Sequence, residues 1–294
     1  MRQAGYFLIS LRPTQCLVKN VFIFAPMVFS LHLFQPSYIK NSLIAFLLFS
    51  LVTGSIYVFN DVIDKERDRQ HPQKRHRPIA AGKLKEVPAL TGALLLLAAA
   101  LLMAFRFSTA FFNICLIYFA MTLLYSLVLK AVVIVDIMII AIGFVLRVMA
   151  GGAVNRIYLS PWIFITTFLL AIFLALIKRR QELIEIKALN KAPTTRMTLK
   201  KYNVGLLDQM ISIATATTLI SYIMYVLSPE TQQKFHTTQL YYTVPFVIFG
   251  IFRYLYLSFT KGEGENPAEI VFTDFPFTLN GILWLAVIIY LVNG

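Results

Sequence analysis

The sequence predicts an all-α fold, a polytopic membrane protein whose spans are helices. Two observations carry this. Of the 294 residues 58% are hydrophobic and only 14% are charged, whereas a soluble domain carries about 25% charged residues. Apolar runs of about 20 residues, long enough to cross a bilayer, recur along the whole chain. Strands of a membrane barrel would alternate in character over about 10 residues. These runs are continuously apolar, and a helix satisfies all its backbone groups within one segment.

Nine spans are read in order, at roughly 17–35, 40–60, 87–105, 109–129, 132–150, 158–178, 205–228, 239–258 and 276–293, with boundaries good to about four residues. One integral domain, residues 1–294, is the simplest organisation. Two connections are long and polar, about 61–86 after the second span and about 178–204 after the sixth. Each follows an even-numbered span and each mixes acids with bases, which hints at two halves on one plan without an alignable repeat. The N-terminus has no signal-peptide cleavage pattern, so the first span is expected to be retained.

The net charge of +13 raises nucleic acid as a partner, but its distribution argues against that. With the N-terminus placed in the cytoplasm, only Lys40, Arg106, Arg156 and Lys234 fall in outer loops and Arg147 lies inside a span. Every other Lys and Arg is then on the inner side, the positive-inside pattern. Anionic lipid headgroups and phosphorylated substrates suit this charge better. The two cysteines, Cys16 and Cys115, lie at or within apolar segments and imply no disulfide framework.

The most informative stretch is Asn60-Asp61-Val62-Ile63-Asp64-Lys65-Glu66-Arg67-Asp68, at the junction of an apolar run and a basic loop. Asn60, Asp64 and Asp68 are four apart and so stack on nearly one face of a helix. One amide and two carboxylates suit Mg²⁺, which takes oxygen ligands and typically one or two carboxylates plus substrate phosphates. A solvated acidic helix end is the plainer alternative for a lone D-x-x-x-D. His71-Pro72-Gln73-Lys74-Arg75-His76-Arg77-Pro78 follows at once. Carboxylates for a metal and then a cationic cluster are the two halves of a diphosphate site. Lys74, Arg75 or Arg77 would neutralise the phosphate oxygens the metal leaves. His71 and His76 read as solvated or structural. No Ser or Cys with an adjacent base and no zinc spacing is present.

Other residues carry weaker signals. Lys19 suits a snorkelling anchor or a phosphate contact equally. Tyr57, one turn before Asn60, either touches substrate or packs between helices. Asp136 and Arg147 are about 16 Å apart along one helix and cannot pair directly. Arg147 at mid-bilayer costs at least ~2.5 kcal/mol, so it is expected to face a polar cavity, with structural pairing as the alternative. In the second loop Lys178, Arg179 and Arg180 form a basic cluster. Glu182, Tyr202 and Asp208 are candidates for closing the site from the opposite side, and Glu182 could equally pair with its basic neighbours.

Together these residues resemble the UbiA superfamily of intramembrane prenyltransferases. The N-D-x-x-D-x-x-x-D motif of that family is matched in full by Asn60, Asp61, Asp64 and Asp68. The resemblance implies nine helices around a central cavity. The family's second aspartate-rich motif has no match in 178–208, which holds Glu182, Glu185 and Asp208 but no D-x-x-x-D. Leu11-Arg12-Pro13-Thr14-Gln15, Lys19-Asn20, Ala25-Pro26, Asp68 through Ala80, Gly143 through Arg147 with Ala150-Gly151, and Lys178 through Leu183 resemble one branch, the polyprenyl-phosphate phosphoribosyltransferases of decaprenyl-phosphate type. That branch's usual Trp after Arg-Pro-x-Gln is Cys16 here.

The resemblance implies transfer of 5-phosphoribose from phosphoribosyl diphosphate to a polyprenyl phosphate, with Mg²⁺ at the first motif and release of diphosphate. A bacterial-type inner membrane is expected, and the distribution of Lys and Arg puts the N-terminus and both long loops on its cytoplasmic side. The rival within the family moves a polyprenyl group from its diphosphate to an aromatic or isoprenoid acceptor; the altered second motif counts against it. A transporter would place coupling charges near the bilayer midplane, where only Asp136 and Arg147 lie.

Overall fold

The structure is a computed structural model and describes residues 2–30, 35–71, 73–188, 197–261, 270 and 273–293. Among them every regular element is helical. Among the described residues eight helices are long and apolar enough to cross a membrane: Pro36–Ile63, Glu86–Phe107, Thr109–Leu127, Val135–Asn155, Pro161–Ile186, Val204–Leu227, Gln239–Thr260 and Phe275–Val292. They match eight of the nine expected spans.

The first expected span is the exception. The described part of 17–35 is a series of short pieces: α2 (Pro13–Asn20), a 3₁₀ turn (Val21–Phe24) and α3 (Ala25–Val28), preceded by α1 (Arg2–Ser10). Residues 31–34 lie outside the described residues. Pro26 explains part of the break, since it has no N–H to continue the ladder across the 3₁₀ turn. Asn20, fully buried, explains another part, because its amide bonds to other elements.

The chain is read from sequence as one integral domain; its contacts divide it into two compact units, Met1–Leu159 with Pro193–Thr198, and Ser160–Ala192 with Leu199–Gly294. The first unit contains α4 (Pro36–Ile63), α5 (Lys65–Gln70), α6 (Glu86–Phe107), α7 (Thr109–Leu127) and α8 (Val135–Asn155). In lipid no hydrophobic force drives helices together, so close packing by small residues does. α6 shows how. Its buried stripe is Ala89, Ala93, Leu97, Ala100 and Ala104, at helical spacing, and it packs on α4. Leu94, Leu95, Leu102, Met103 and Phe105 point away and are exposed, as lipid-facing residues are. Phe49, Val52, Phe111, Cys115, Leu146 and Ala150 close the core. Both cysteines are free and buried, Cys16 at 3% and Cys115 at 0% exposure.

The second unit pairs α9 (Pro161–Ala188) with α10 (Val204–Leu227), and α12 (Val244–Tyr256) with α13 (Phe275–Asn293); α11 (Pro229–Phe235) is short. Its helix starts are capped as the sequence allows. Asn203 Oδ1 accepts from Leu206 N at 2.8 Å at the start of α10, and Asp274 Oδ1 accepts from Phe277 N at 2.9 Å at the start of α13.

Candidate active site

The carboxylates sit where α4 ends. The helix stops at Ile63, Asp64 adopts φ −95° and ψ 8°, and α5 resumes at Lys65. The expectation of a single continuous helix through the motif is therefore corrected: it breaks at Asp64. The i to i−4 bonding nonetheless persists through the break, from Asp64 N to Asn60 O at 2.9 Å and from Asp68 N to Asp64 O at 2.8 Å. Asn60, Asp64 and Asp68 thus remain one turn apart.

Each carboxylate has a cation. Lys130 Nζ donates to Asp64 Oδ1 at 2.6 Å. Arg77 Nη1 donates to Asp68 Oδ2 at 2.6 Å and to Asp61 Oδ1 at 3.2 Å. Arg12 also pairs with Asp61, which is 1% exposed. Charges this enclosed are stable only when paired. Two oxygens are left over: Asn60 Oδ1 and Asp61 Oδ2 are buried and have no hydrogen-bond partner.

The N-terminal segment brings two cations to Tyr57. Arg12 lies with its guanidinium 4.9 Å from the Tyr57 ring centroid, and Lys19 Nζ is 5.7 Å from that centroid and 3.3 Å from the hydroxyl. Arg12 has φ 51°, a left-handed conformation uncommon outside glycine, and its ion pair to Asp61 helps to hold it there. Of the three basic residues after the motif, Arg77 is placed on the carboxylates. Arg75 is exposed and its Nε donates to His76 Nε2 at 3.4 Å. Lys74 is half-buried in a 3₁₀ turn whose backbone N–H groups, from Gln73 and Lys74, bond to His71 Nδ1. His71 is thus a structural residue, in line with the sequence reading.

Arg147 is 4% exposed and enclosed by protein. Its Nε donates to Asn20 Oδ1 at 2.8 Å, Nη1 to Gly143 O at 2.7 Å and Nη2 to Tyr118 OH at 2.8 Å. The rings of Phe49, Tyr118 and Phe144 surround it at 4.8–5.6 Å. Of the two arrangements considered from sequence, this is the pairing, not the open cavity.

A family model described as the UbiA prenyltransferase family matches residues 21–282. The chain belongs to that family. It is an enzyme of the UbiA type and an integral membrane protein. The "Decaprenyl-phosphate phosphoribosyltransferase" of Corynebacterium glutamicum is 32% identical over 289 residues, 96% of this chain and 85% of that one. An "Uncharacterized protein y4nM" of Sinorhizobium fredii is 30% identical over 77% of this chain, which spans 44% of that longer protein. The structure of a UbiA homolog from Archaeoglobus fulgidus bound to DMAPP and Mg²⁺ has the same fold, with a TM-score of 0.71 at 18% identity over 98% of this chain and 99% of that one.

The second unit of this UbiA-family chain carries its own charged cluster, near the end of α9. Arg179, 2% exposed, donates from Nη1 to Glu182 Oε2 at 2.9 Å. Arg180 pairs with Asp208 and lies with its guanidinium 3.7 Å from the Phe259 ring centroid. Gln181 donates to the Ser258 carbonyl, which sits in a turn of π-helix, Leu257–Lys261. Lys178 is half-buried and Tyr202 buried. Glu182 pairs with a basic neighbour, one of the two arrangements the sequence left open. Residues 189–196 of this loop lie outside the described residues.

Among the described residues no group of three or more His, Cys, Asp or Glu side chains is arranged to hold a metal ion by itself. Mg²⁺ does not require one, since it keeps waters and shares its shell with substrate phosphates. The donors here fit such a site. Asn60 contributes a buried oxygen with no other partner, Asp64 contributes hard oxygens one turn on, and Asp68 contributes them one turn further. Sequence reasoning missed Lys130 altogether. Its only signal was a lone lysine in a short connection between two apolar runs. It noticed Arg12 and Asn20 only as part of a resemblance.

Proposed function

We propose that the chain transfers 5-phosphoribose from phosphoribosyl diphosphate to a polyprenyl phosphate of decaprenyl type, releasing diphosphate, with Mg²⁺ held by Asn60, Asp64 and Asp68. The observation that carries the reading is the charge balance at the end of α4. Carboxylates with a partnerless amide oxygen are set among Arg12, Lys19, Arg77 and Lys130. That is more positive charge than the three carboxylates need, and it suits a polyanionic donor. The name of the Corynebacterium glutamicum relative supports the same donor.

When bound, Mg²⁺ offsets the charge that develops on diphosphate as the bond to the ribose breaks. Arg77 and Lys130 supply charge-assisted bonds to the same oxygens. The lipid phosphate oxygen forms the new bond at the anomeric carbon. It is anionic at neutral pH, so no general base is required. The N-terminus and the loop at 61–86 face the cytoplasm of a bacterial inner membrane in this reading, where a soluble sugar-phosphate donor is available.

The test is product analysis of the purified chain. With Mg²⁺, labelled phosphoribosyl diphosphate and a polyprenyl phosphate, it should form a lipid-linked phosphoribose. Consumption of polyprenyl diphosphate with an aromatic acceptor, and none of phosphoribosyl diphosphate, would replace the reading with ordinary prenyl transfer.

A further inference from the structure

Arg147, the most enclosed cation among the described residues of the first unit, is bonded to none of the carboxylates. Each nitrogen of Arg147 is already engaged, by Asn20, the Gly143 carbonyl and Tyr118. Asn20 is 0% exposed and passes the connection on, its Nδ2 donating to Ser50 Oγ of α4 at 2.9 Å. One asparagine therefore ties the end of α2 to both α8 and α4. A second approach lies one turn along, where a Cβ on Gly151 would stand 1.9 Å from the Ile23 carbonyl oxygen. The N-terminal segment is thus seated on α8 without room to shift.

We infer that Arg147 and Asn20 form a latch that positions Arg12 and Lys19, the cations at the two ends of α2, beside Asp61 and Tyr57. Arg147 acts as a positioning residue and not as a phosphate contact. A guanidinium buried among Phe49, Tyr118 and Phe144 is costly unless its donors are satisfied, so it specifies where Asn20 must sit. Asn20 immediately follows Lys19 and closes the eight-residue helix whose N-cap is Arg12. Fixing it fixes both cations before any ligand arrives, and preset charges need no reorganisation when an anion binds. The inference rests on the diphosphate-binding reading of the site, but not on which group the diphosphate carries.

The test uses the purified full chain in detergent and inorganic diphosphate with Mg²⁺ as the probe, read by calorimetry. Asn20→Leu should weaken binding by about tenfold or more, the effect of mislaying a charge-assisted contact. Asn20→Asp keeps an acceptor for Arg147 and should bind like the wild type. In an Arg12→Ala, Lys19→Ala background Asn20→Leu should cause no further loss, because the residues it acts through are gone. An equal loss in both backgrounds, or no loss in either, overturns the latch. Should Asn20→Leu fail to fold, Ser50→Ala, which leaves Arg147 paired, is read in the same way in the same two backgrounds. A wild type that binds Mg²⁺-diphosphate yet ignores phosphoribosyl diphosphate overturns the proposed reaction and leaves the latch to be judged on binding. A wild type that binds no diphosphate overturns both.

Discussion

Lys130 Nζ stands 2.6 Å from Asp64 Oδ1, two residues brought together across 66 positions of sequence. Lys130 lies in a short 3₁₀ turn between α7 and α8, and Asp64 lies in the break between α4 and α5. The ammonium neutralises the carboxylate that the proposed metal would use. The carboxylate is therefore held by the protein's own cation.

Lys130→Met is expected to act in two directions. Mg²⁺ alone should bind more tightly, because Asp64 loses a competing positive charge. The donor should bind more weakly, by roughly 10- to 150-fold in KM for a lost charge-assisted bond of about 1.5–3 kcal/mol. Calorimetry for the metal and steady-state kinetics for the donor read the two separately.

Asp64→Ala and Asp68→Ala should each abolish turnover while the protein still elutes as a folded species in detergent. Chelation of the wild type with EDTA should do the same, and added Mg²⁺ should restore activity. Undiminished turnover in metal-free buffer contradicts the metal assignment.

Arg77 and Arg75 are two residues apart and differ in surroundings, Arg77 on Asp61 and Asp68, Arg75 exposed beside His76. Arg77→Ala should raise the donor KM by tenfold or more, on the scale of about 1.5 kcal/mol for a charged hydrogen bond. Arg75→Ala should change it little. Equal effects from the two would mean that the loop is rearranged when donor binds.

Gly151→Ala should destabilise the chain by about 1–3 kcal/mol, the usual cost of overpacking, because the new methyl would collide with the Ile23 carbonyl. A lowered melting temperature in detergent is the readout. Gly82→Ala is the control for backbone conformation alone, since Gly82 has φ +71° with nothing within 4 Å of a Cβ.

A cysteine placed at Gln73, an exposed position in the loop after α5, should react with a membrane-impermeant reagent only after cells are lysed. Labelling of intact cells would invert the proposed orientation.

Much of this was legible in the chain, for identifiable reasons. Uninterrupted hydropathy announces a long helix, so α4, α6, α7, α8, α10 and α13 were found with ends close to those observed, whereas α9 continues past the expected end at 178 to Ala188, into the charged stretch expected to be loop. The same measure misled at 17–35. Residues 17–35 are long and apolar enough on average to span, but Pro26 and the buried Asn20 make the described part a chain of short pieces. The carboxylates were readable because their spacing is local. Their partners were not. Arg12 reaches Asp61 across 49 residues and Lys130 reaches Asp64 across 66, and a single sequence carries no signal for pairs so distant. Arg147 was recognised as costly in lipid, but which of Asn20, Tyr118 and Gly143 would satisfy it depended on how α2, α7 and α8 meet.

The two thiols have a practical consequence. Cys16 is tucked under α2 with its Sγ donating to the Leu11 carbonyl at 3.4 Å, and Cys115 is sealed in the core of the first unit. A polar maleimide has no purchase on either. The native sequence is thus a silent background for site-directed labelling, and every probe position can be installed by one codon change without first stripping the protein of its own sulfur.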